Sequence, residues 1–218
     1  MKGLLKNNYY AARSNVKMFS AVMLLLGIAA AVLDNDVQSI IIGYMISAMA
    51  GFSVVAVSGL RKENTSKWCR YKLTAPVRRI DIVKSYFLSQ LIWLLVGMLF
   101  AAVGVSVSIL LHGFPFDRNT DIFMIFVVGI GLSLFMGAIF FPLFYLGGEE
   151  RSELCTIVSL LGSIGVVMGA SSLMNRLFGP HMTTFQLVMA GIVILACAML
   201  AFLLSFPLTV SIFRRKEF

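Results

Sequence analysis

Six long apolar stretches constrain the fold of this chain more than any other feature. They cover residues 16–33, 37–60, 85–111, 122–146, 154–174 and 185–213. A helix that crosses a bilayer needs about 20 mostly apolar residues. The composition agrees, because 59% of the residues are hydrophobic and 13% are charged, against roughly 45–50% and about 25% in soluble domains. The sequence therefore predicts an all-α integral membrane protein with six transmembrane helices, forming one domain over residues 1–218.

The Lys and Arg residues predict which side of the membrane each connection occupies. With the N-terminus in the cytosol, sixteen of the 18 Lys and Arg residues face the cytosol, and only Arg118 and Arg176 face out. The opposite orientation reverses that ratio, so we expect both termini in the cytosol. The net charge of +8 is then explained by the signal for insertion into the membrane and by attraction to anionic lipid. It therefore predicts no nucleic-acid partner.

The N-terminal segment is predicted to be an amphipathic interface helix over residues 1–15, lying along the membrane surface before the first span. Its basic residues fall on a different helix face from its apolar residues, which are Met1, Leu4, Leu5, Tyr9 and Ala12. The alternative is a basic leader with no surface helix. The connector at 33–37 is short enough to make the first two spans antiparallel neighbours.

Catalytic and metal-binding motifs are missing from the sequence. There is no GxxxxGK[ST] loop, no HExxH and no GxSxG. The three cysteines have neither paired nor metal-ligand spacing, and His112 and His181 stand apart. We expect no metal, no catalytic residue and no ATP hydrolysis by this chain. No ionisable residue lies deep in a predicted span, which argues against an ion-coupled carrier.

The turn GGEERSE at 147–153 carries adjacent carboxylates, Glu149 and Glu150. Some membrane-embedded proteases use such a pair with an Arg at a fixed spacing, but that position is Leu154 here. The later His181 falls on the opposite side of the membrane. This departure and the position of His181 argue against the alternative of an intramembrane protease, and the turn is either a solvated acidic turn or a docking contact.

The second connection, residues 61–84, is densely basic and contains structural signals of its own. Thr65 or Ser66 can cap a short helix that runs to Leu73. Ala75-Pro76 ends that helix, and Pro76 can open a new one that continues into the third span. The result is a helix–turn–helix elbow with aromatic and cationic groups suited to a protein partner. The alternative is an interfacial elbow with snorkelling Lys and Arg.

These features together resemble the membrane subunit of type-2 ABC exporters, the ABC-2 permease family. The resemblance rests on the basic opening MKGLLKNNYY, the six spans, the elbow and the turn GGEERSE, and it covers nearly the whole chain. The elbow residues that match the family pattern are Glu63, Leu73, Pro76, Arg78, Arg79, Ile82, Val83, Lys84 and Tyr86.

The resemblance implies a coupling helix over residues 63–75 that docks in a groove of a separate ATPase subunit. The residues it assigns to ATPase coupling are Glu63, Lys67, Trp68, Arg70, Tyr71, Lys72, Leu73 and Pro76. A second cytosolic contact, or a hinge, is implied for Glu149, Glu150, Arg151 and Glu153. The family's fifth connection often carries short re-entrant helices, for which 171–185 is a candidate.

The resemblance also implies an assembly in a bacterial cytoplasmic membrane. Two permease subunits, identical or homologous, would join two ABC ATPase subunits, with Mg-ATP bound on the ATPase and no cofactor on this chain. Spans rich in Phe and Met suggest an amphipathic or hydrophobic cargo, such as a peptide, a lipid-like molecule or a drug. The residues that bind cargo are not assigned. The alternative is a membrane subunit for immunity or sensing that pairs with an ATPase and transports nothing.

Overall fold

The computed structural model describes residues 2–32, 37–65, 78–114, 116, 118–147, 151–178 and 183–215. These residues form six long helices: α1 (Lys2–Val32), α2 (Val37–Thr65), α3 (Arg79–His112), α4 (Asn119–Gly147), α5 (Ser152–Phe178) and α6 (Thr184–Arg215). All six are long and apolar enough to cross a membrane. The predicted all-α fold with six membrane-spanning helices is confirmed.

The helices are longer than the apolar stretches that predicted them. The shortest has 27 residues and the longest 34, which at about 1.5 Å per residue gives roughly 40–50 Å. The hydrocarbon core of a bilayer is only about 30 Å thick. Each helix therefore carries at least one turn beyond the hydrocarbon, where its charged residues reach water or headgroups.

The bundle consists of two halves that meet along its centre. The N-terminal half-bundle comprises α1–α3, and its most extensive contact is between α2 and α3. The C-terminal half-bundle comprises α4–α6, where α4 packs on both α6 and α5. The halves meet mainly through α2 against α4, supplemented by α3 against α6. Helices α2 and α4 are accordingly the most buried.

Aromatic and methionine side chains fill the centre of the bundle. Phe52, Met45 and Met49 of α2 and Phe140 of α4 are fully buried. Phe87 of α3 joins the halves, because its ring centroid lies 4.3 Å from that of Phe141, 4.9 Å from that of Phe202 and 5.4 Å from that of Phe206. Offset and edge-on ring pairs of this kind add to packing energy.

Three details of the predicted organisation need correction. Helix α1 is continuous from Lys2 to Val32, so the predicted interface helix over residues 1–15 is not a separate element. No proline interrupts this stretch, and its only glycines are Gly3 and Gly27, so nothing forces a break at residue 15. Helix α3 begins at Arg79, later than the opening predicted at Pro76. Residues 171–178 belong to α5 and form no re-entrant helix.

Candidate functional site at the basic end of the bundle

Most of the predicted coupling residues lie outside the described residues. This applies to the part of the elbow at 66–77 and to the turn at 148–150, and so to Lys67, Trp68, Arg70, Tyr71, Lys72, Leu73, Pro76, Glu149 and Glu150. Glu63 is on the last turns of α2. Arg151 and Glu153 are both exposed at the start of α5. The structure therefore describes the helices that carry the elbow and the turn.

The elbow joins α2 to α3, and these two helices approach each other very closely. A Cβ atom added to Gly97 of α3 would lie 2.9 Å from the carbonyl oxygen of Ala48 and 3.0 Å from Cα of Met49. Only a glycine permits two helix backbones to come this near. Nearer the elbow, Leu60 of α2 and Val83 of α3 are both buried. The α2–α3 pair, called here the hairpin, is thus closely packed.

The chain enters α3 in a defined conformation. Arg78 is the N-cap residue, with φ −67° and ψ 136°, and its side chain makes no capping hydrogen bond. Its carbonyl oxygen accepts from the N–H of Asp81 at 2.9 Å. Asp81 lies in the first turn of α3, where a carboxylate interacts favourably with the helix dipole. Arg78 and Lys84 remain exposed, so the entrance to α3 offers cations to headgroups or to a partner.

The N-terminal part of α1 is held on the hairpin by polar contacts. Asn8 Nδ2 lies 3.2 Å from Ser85 Oγ of α3, and Asn15 Nδ2 donates to Ser58 Oγ of α2 at 2.8 Å. Between them Ala12 is buried, and Cβ at Gly59 would be 3.3 Å from the Ala12 Cβ. This segment therefore packs against α2 and α3 of its own subunit.

An aromatic stack reinforces the same contact. The ring of Tyr9 lies parallel to that of Trp93, with centroids 5.9 Å apart, and Trp93 stacks on Phe52 at 6.3 Å. Phe19 of α1 meets Phe52 edge-on at 5.0 Å. Helices α1, α3 and α2 are thus joined by ring contacts in addition to the hydrogen bonds of Asn8 and Asn15.

Buried hydroxyl and amide groups connect the hairpin to the C-terminal half-bundle. The hydroxyls of Ser53 on α2 and Ser133 on α4 form a hydrogen bond. Gln90 of α3 donates through Nε2 to the Ser133 carbonyl oxygen at 3.4 Å. Such bonds between helices carry specificity in a membrane, where apolar contact alone does not distinguish a helix from lipid.

The buried polar groups are neutral. Where the structure describes burial, no Asp, Glu, Lys or Arg is buried, and no cluster of His, Cys, Asp or Glu among the described residues could hold a metal ion. The Lys and Arg side chains whose burial is described instead lie on the surface. Those exposed at the end that carries the elbow, called here the basic end, are Lys6, Arg13, Lys17, Arg78, Lys84, Arg151, Arg214 and Arg215. The described interior can therefore interact with a bound molecule through hydrogen bonds and packing.

A comparison with models of protein families identifies the family of this chain. The model of the family described as "ABC-2 family transporter protein" matches residues 3–214. The chain belongs to the ABC-2 family of transporter permeases. No curated protein and no solved structure matched the chain. As an ABC-2 permease the chain is a multi-pass membrane protein and a transport component, and its family implies association with an ABC ATPase.

The family assignment confirms the resemblance drawn from the sequence, and the roles of individual residues in this ABC-2 permease remain predictions. Sequence reasoning missed Asn8, Asn15 and Ser85 as parts of the site. The sequence of α1 contains a signal that could have found two of them. Positions 8, 12 and 15 lie on one helix face, and two of these positions are Asn. Two amides on one face of a membrane helix predict a packed face, since lipid cannot satisfy them.

Proposed function

We propose that this chain is the permease subunit of an ATP-driven ABC exporter that moves an amphipathic or hydrophobic cargo out of the cell. The observation that carries the proposal is that the elbow connects α2 to α3, the pair of helices with the most extensive mutual contact in this ABC-2 permease. Energy would come from Mg-ATP bound on a separate ATPase. This chain would contribute the pathway and the surface on which the ATPase acts.

The close packing of the hairpin supports a lever mechanism. Where Gly97 lies against the backbone of Ala48, the helices have no compressible side chain between them. A force applied to the elbow then displaces α2 and α3 together. Asn8 and Asn15 fasten α1 to the same unit, so all three helices would move as a rigid body. Closely packed interfaces switch between discrete arrangements and do not deform gradually.

The turn between α4 and α5 is a candidate for a second ATPase contact. Cys155 Sγ lies 3.6 Å from the carbonyl oxygen of Leu143 and would be 3.3 Å from a Cβ at Gly147. These contacts bring the start of α5 against the end of α4. Arg151 and Glu153 are exposed there, and we include them in the candidate contact with Glu149 and Glu150.

The assembly we propose contains two permease subunits and two ATPase subunits in the cytoplasmic membrane. The permease partner is a second copy of this chain or a homologous one. The concentration of exposed cations at the basic end supports a cytosolic location of that end, because loops rich in Lys and Arg stay on the cytosolic side. Both termini would then be cytosolic, and the elbow would meet the ATPase.

The docking role of the elbow predicts a strong effect of removing its aromatic side chains. Trp68→Ala combined with Tyr71→Ala should lower the amount of ATPase that copurifies with the permease by about tenfold or more, because buried Trp and Tyr side chains dominate many interfaces. Transport per permease should fall in parallel. Pull-down of the tagged permease from membranes, followed by quantitative blotting of the ATPase, measures the first effect.

A control for this experiment is Phe185→Ala. Phe185 is 74% exposed near the start of α6, at the end of the bundle opposite to the elbow, and its removal should leave ATPase association unchanged. Undiminished association and transport in the double variant would contradict the docking role. Equal losses in the double variant and in Phe185→Ala would point to a general loss of folded permease.

The neutral interior of the bundle predicts the class of cargo. Because no Asp, Glu, Lys or Arg is buried where burial is described, we expect amphipathic peptides to stimulate the ATPase activity of the purified complex about twofold or more. A polar sugar should have no effect. Stimulation by the sugar alone would contradict the proposed cargo class.

Vesicles that contain the permease and its ATPase distinguish transport from the alternative of a non-transporting subunit. ATP-dependent accumulation of a stimulating peptide supports the exporter. An ATPase that binds and hydrolyses ATP, with no accumulation of any cargo that stimulates it, would support a subunit for immunity or sensing instead.

A further inference from the structure

Two buried amide oxygens near the basic end lack a hydrogen-bond donor among the residues that the structure describes. Asn8 is 6% exposed and Gln90 is 1% exposed. Asn8 Oδ1 and Gln90 Oε1 are both buried, and neither accepts a hydrogen bond from any residue that the structure describes. Leaving a buried carbonyl without a donor is costly, and native proteins contain few such groups. These two lie on α1 and α3, which contact each other.

The orientation of each amide follows from its neighbours. The hydroxyl of Ser85 donates to the Ile82 carbonyl at 2.7 Å, and in this arrangement Ser85 Oγ accepts from the NH₂ group of Asn8. Gln90 meets the Ser133 carbonyl oxygen, which only accepts. Exchanging O and N in Gln90 would place its oxygen against an acceptor, and exchanging them in Asn8 would require the Ser85 hydroxyl to give up its bond to Ile82. In the arrangement that keeps all these bonds, neither carbonyl oxygen pairs with these neighbours.

Both side chains line one small cavity. Its volume is about 10 Å³, and its other walls come from Ala56, Gly59, Leu60, Tyr86, Ser89 and Phe141. A cavity of this size has room for roughly one water molecule, and a buried water needs about two to four polar partners. Asn8 Oδ1 and Gln90 Oε1 supply two acceptors for the two protons of a water.

We propose that this cavity is a binding site for a single water molecule that donates one hydrogen bond to Asn8 Oδ1 and the other to Gln90 Oε1. The water joins α1 to α3 beside the direct contact of Asn8 with Ser85. It also connects to α4, since the NH₂ group of Gln90 bonds the Ser133 carbonyl. The site does not depend on the proposed transport function. If the hairpin is the lever, the water makes the N-terminal part of α1 move with it.

A double-mutant cycle on the full-length purified permease tests the site. Asn8→Leu and Gln90→Met should each lower the midpoint of thermal unfolding by about 5 °C, because each leaves the other amide oxygen with a poorly held water. The double variant should fall by clearly less than the sum of the two shifts, because both groups that require the water are then gone. Additive shifts would overturn the proposal.

Asn15→Leu provides the matched control. Asn15 lies on the same face of α1 and its amide bonds Ser58, but it does not line the cavity. Its combination with Gln90→Met should be additive. Coupling of the same size in both pairs would show that α1 responds as a whole, and would overturn the assignment of the coupling to the cavity.

A spectroscopic measurement does not depend on how well the variants fold. In the unmodified permease labelled with ¹⁵N at glutamine side chains, magnetisation should pass from a bound water to the NH₂ group of Gln90. The absence of transfer at Gln90 would overturn the proposal. A midpoint of unfolding that falls when Na⁺ is replaced by choline would also overturn it, in favour of a bound cation.

Discussion

Replacing Gly97 with Leu is expected to force α2 and α3 apart and to destabilise the permease by about 3 kcal/mol or more. A Cβ at this position would already lie 2.9 Å from the Ala48 carbonyl oxygen and 3.0 Å from the Met49 Cα. Both are backbone atoms of α2, so no side-chain rotation relieves the overlap. The further carbons of Leu would require one helix to shift along its whole contact. Equilibrium unfolding of the purified protein measures the loss.

Gly43→Leu on α2 provides a matched control. A Cβ at Gly43 meets nothing within 4 Å, and the position is exposed. Leu also has a higher helix propensity than Gly, by about 0.8–1 kcal/mol. This variant should be as stable as the unmodified chain or slightly more stable. Equal stability of Gly97→Leu and Gly43→Leu would contradict the close approach of α2 and α3.

A smaller substitution at Gly97 tests the lever. If the hairpin transmits movement from an ATPase, the smaller substitution Gly97→Ala should reduce transport more than it reduces ATPase association. Its single methyl group alters the spacing of α2 and α3 but leaves the elbow sequence intact. Transport at the original rate in a folded Gly97→Ala variant would contradict a role for the tight spacing.

Replacing Phe87 with Ala is expected to weaken the joint between the two half-bundles and to cost about 3–5 kcal/mol. The Phe87 ring touches Phe141 on α4 and both Phe202 and Phe206 on α6. In a membrane, lipid also solvates apolar groups, so the loss comes mainly from packing contacts and from the cavity that remains. Phe87 is 6% exposed, so lipid cannot readily fill that space.

Leu95→Ala on α3 is the control for Phe87→Ala. Leu95 is 59% exposed on the outer surface of the same helix, and its truncation should change stability by less than about 0.5 kcal/mol. Limited proteolysis adds a second readout, because a weakened joint should make the connection between α3 and α4 easier to cleave in Phe87→Ala. Equal stability of the two variants would show that Phe87 does not hold the halves together.

The positions of the six helices were predictable because apolar length is a local property. The predicted span 122–146 lies within α4, Asn119–Gly147, and 154–174 lies within α5, Ser152–Phe178. The ends differ because hydropathy falls at the first polar residues, whereas a helix continues through them. Its backbone hydrogen bonds are internal and do not require apolar side chains.

The interface helix shows the limit of periodicity. The sequence separates basic from apolar positions in residues 1–15, and this pattern correctly indicates a helix. It does not reveal whether the helix ends before the first span. The structure shows one continuous helix over Lys2–Val32, in which Asn8 and Ala12 are buried against the hairpin. The partner surface that buries them comes from distant parts of the chain.

The sequence by itself determined that six helices cross a membrane, that nearly all cations belong to one side, and that the second connection is the candidate coupling element. Apolar run length and charge placement decide these properties, and both can be read along the chain. Only the tertiary structure decided that Asn8 meets Ser85, 77 residues away, that Gly97 lies on the backbone of Ala48, and that Phe87 joins the halves. These contacts depend on how the helices rotate and pack against one another, which is set by the fit of many side chains at once.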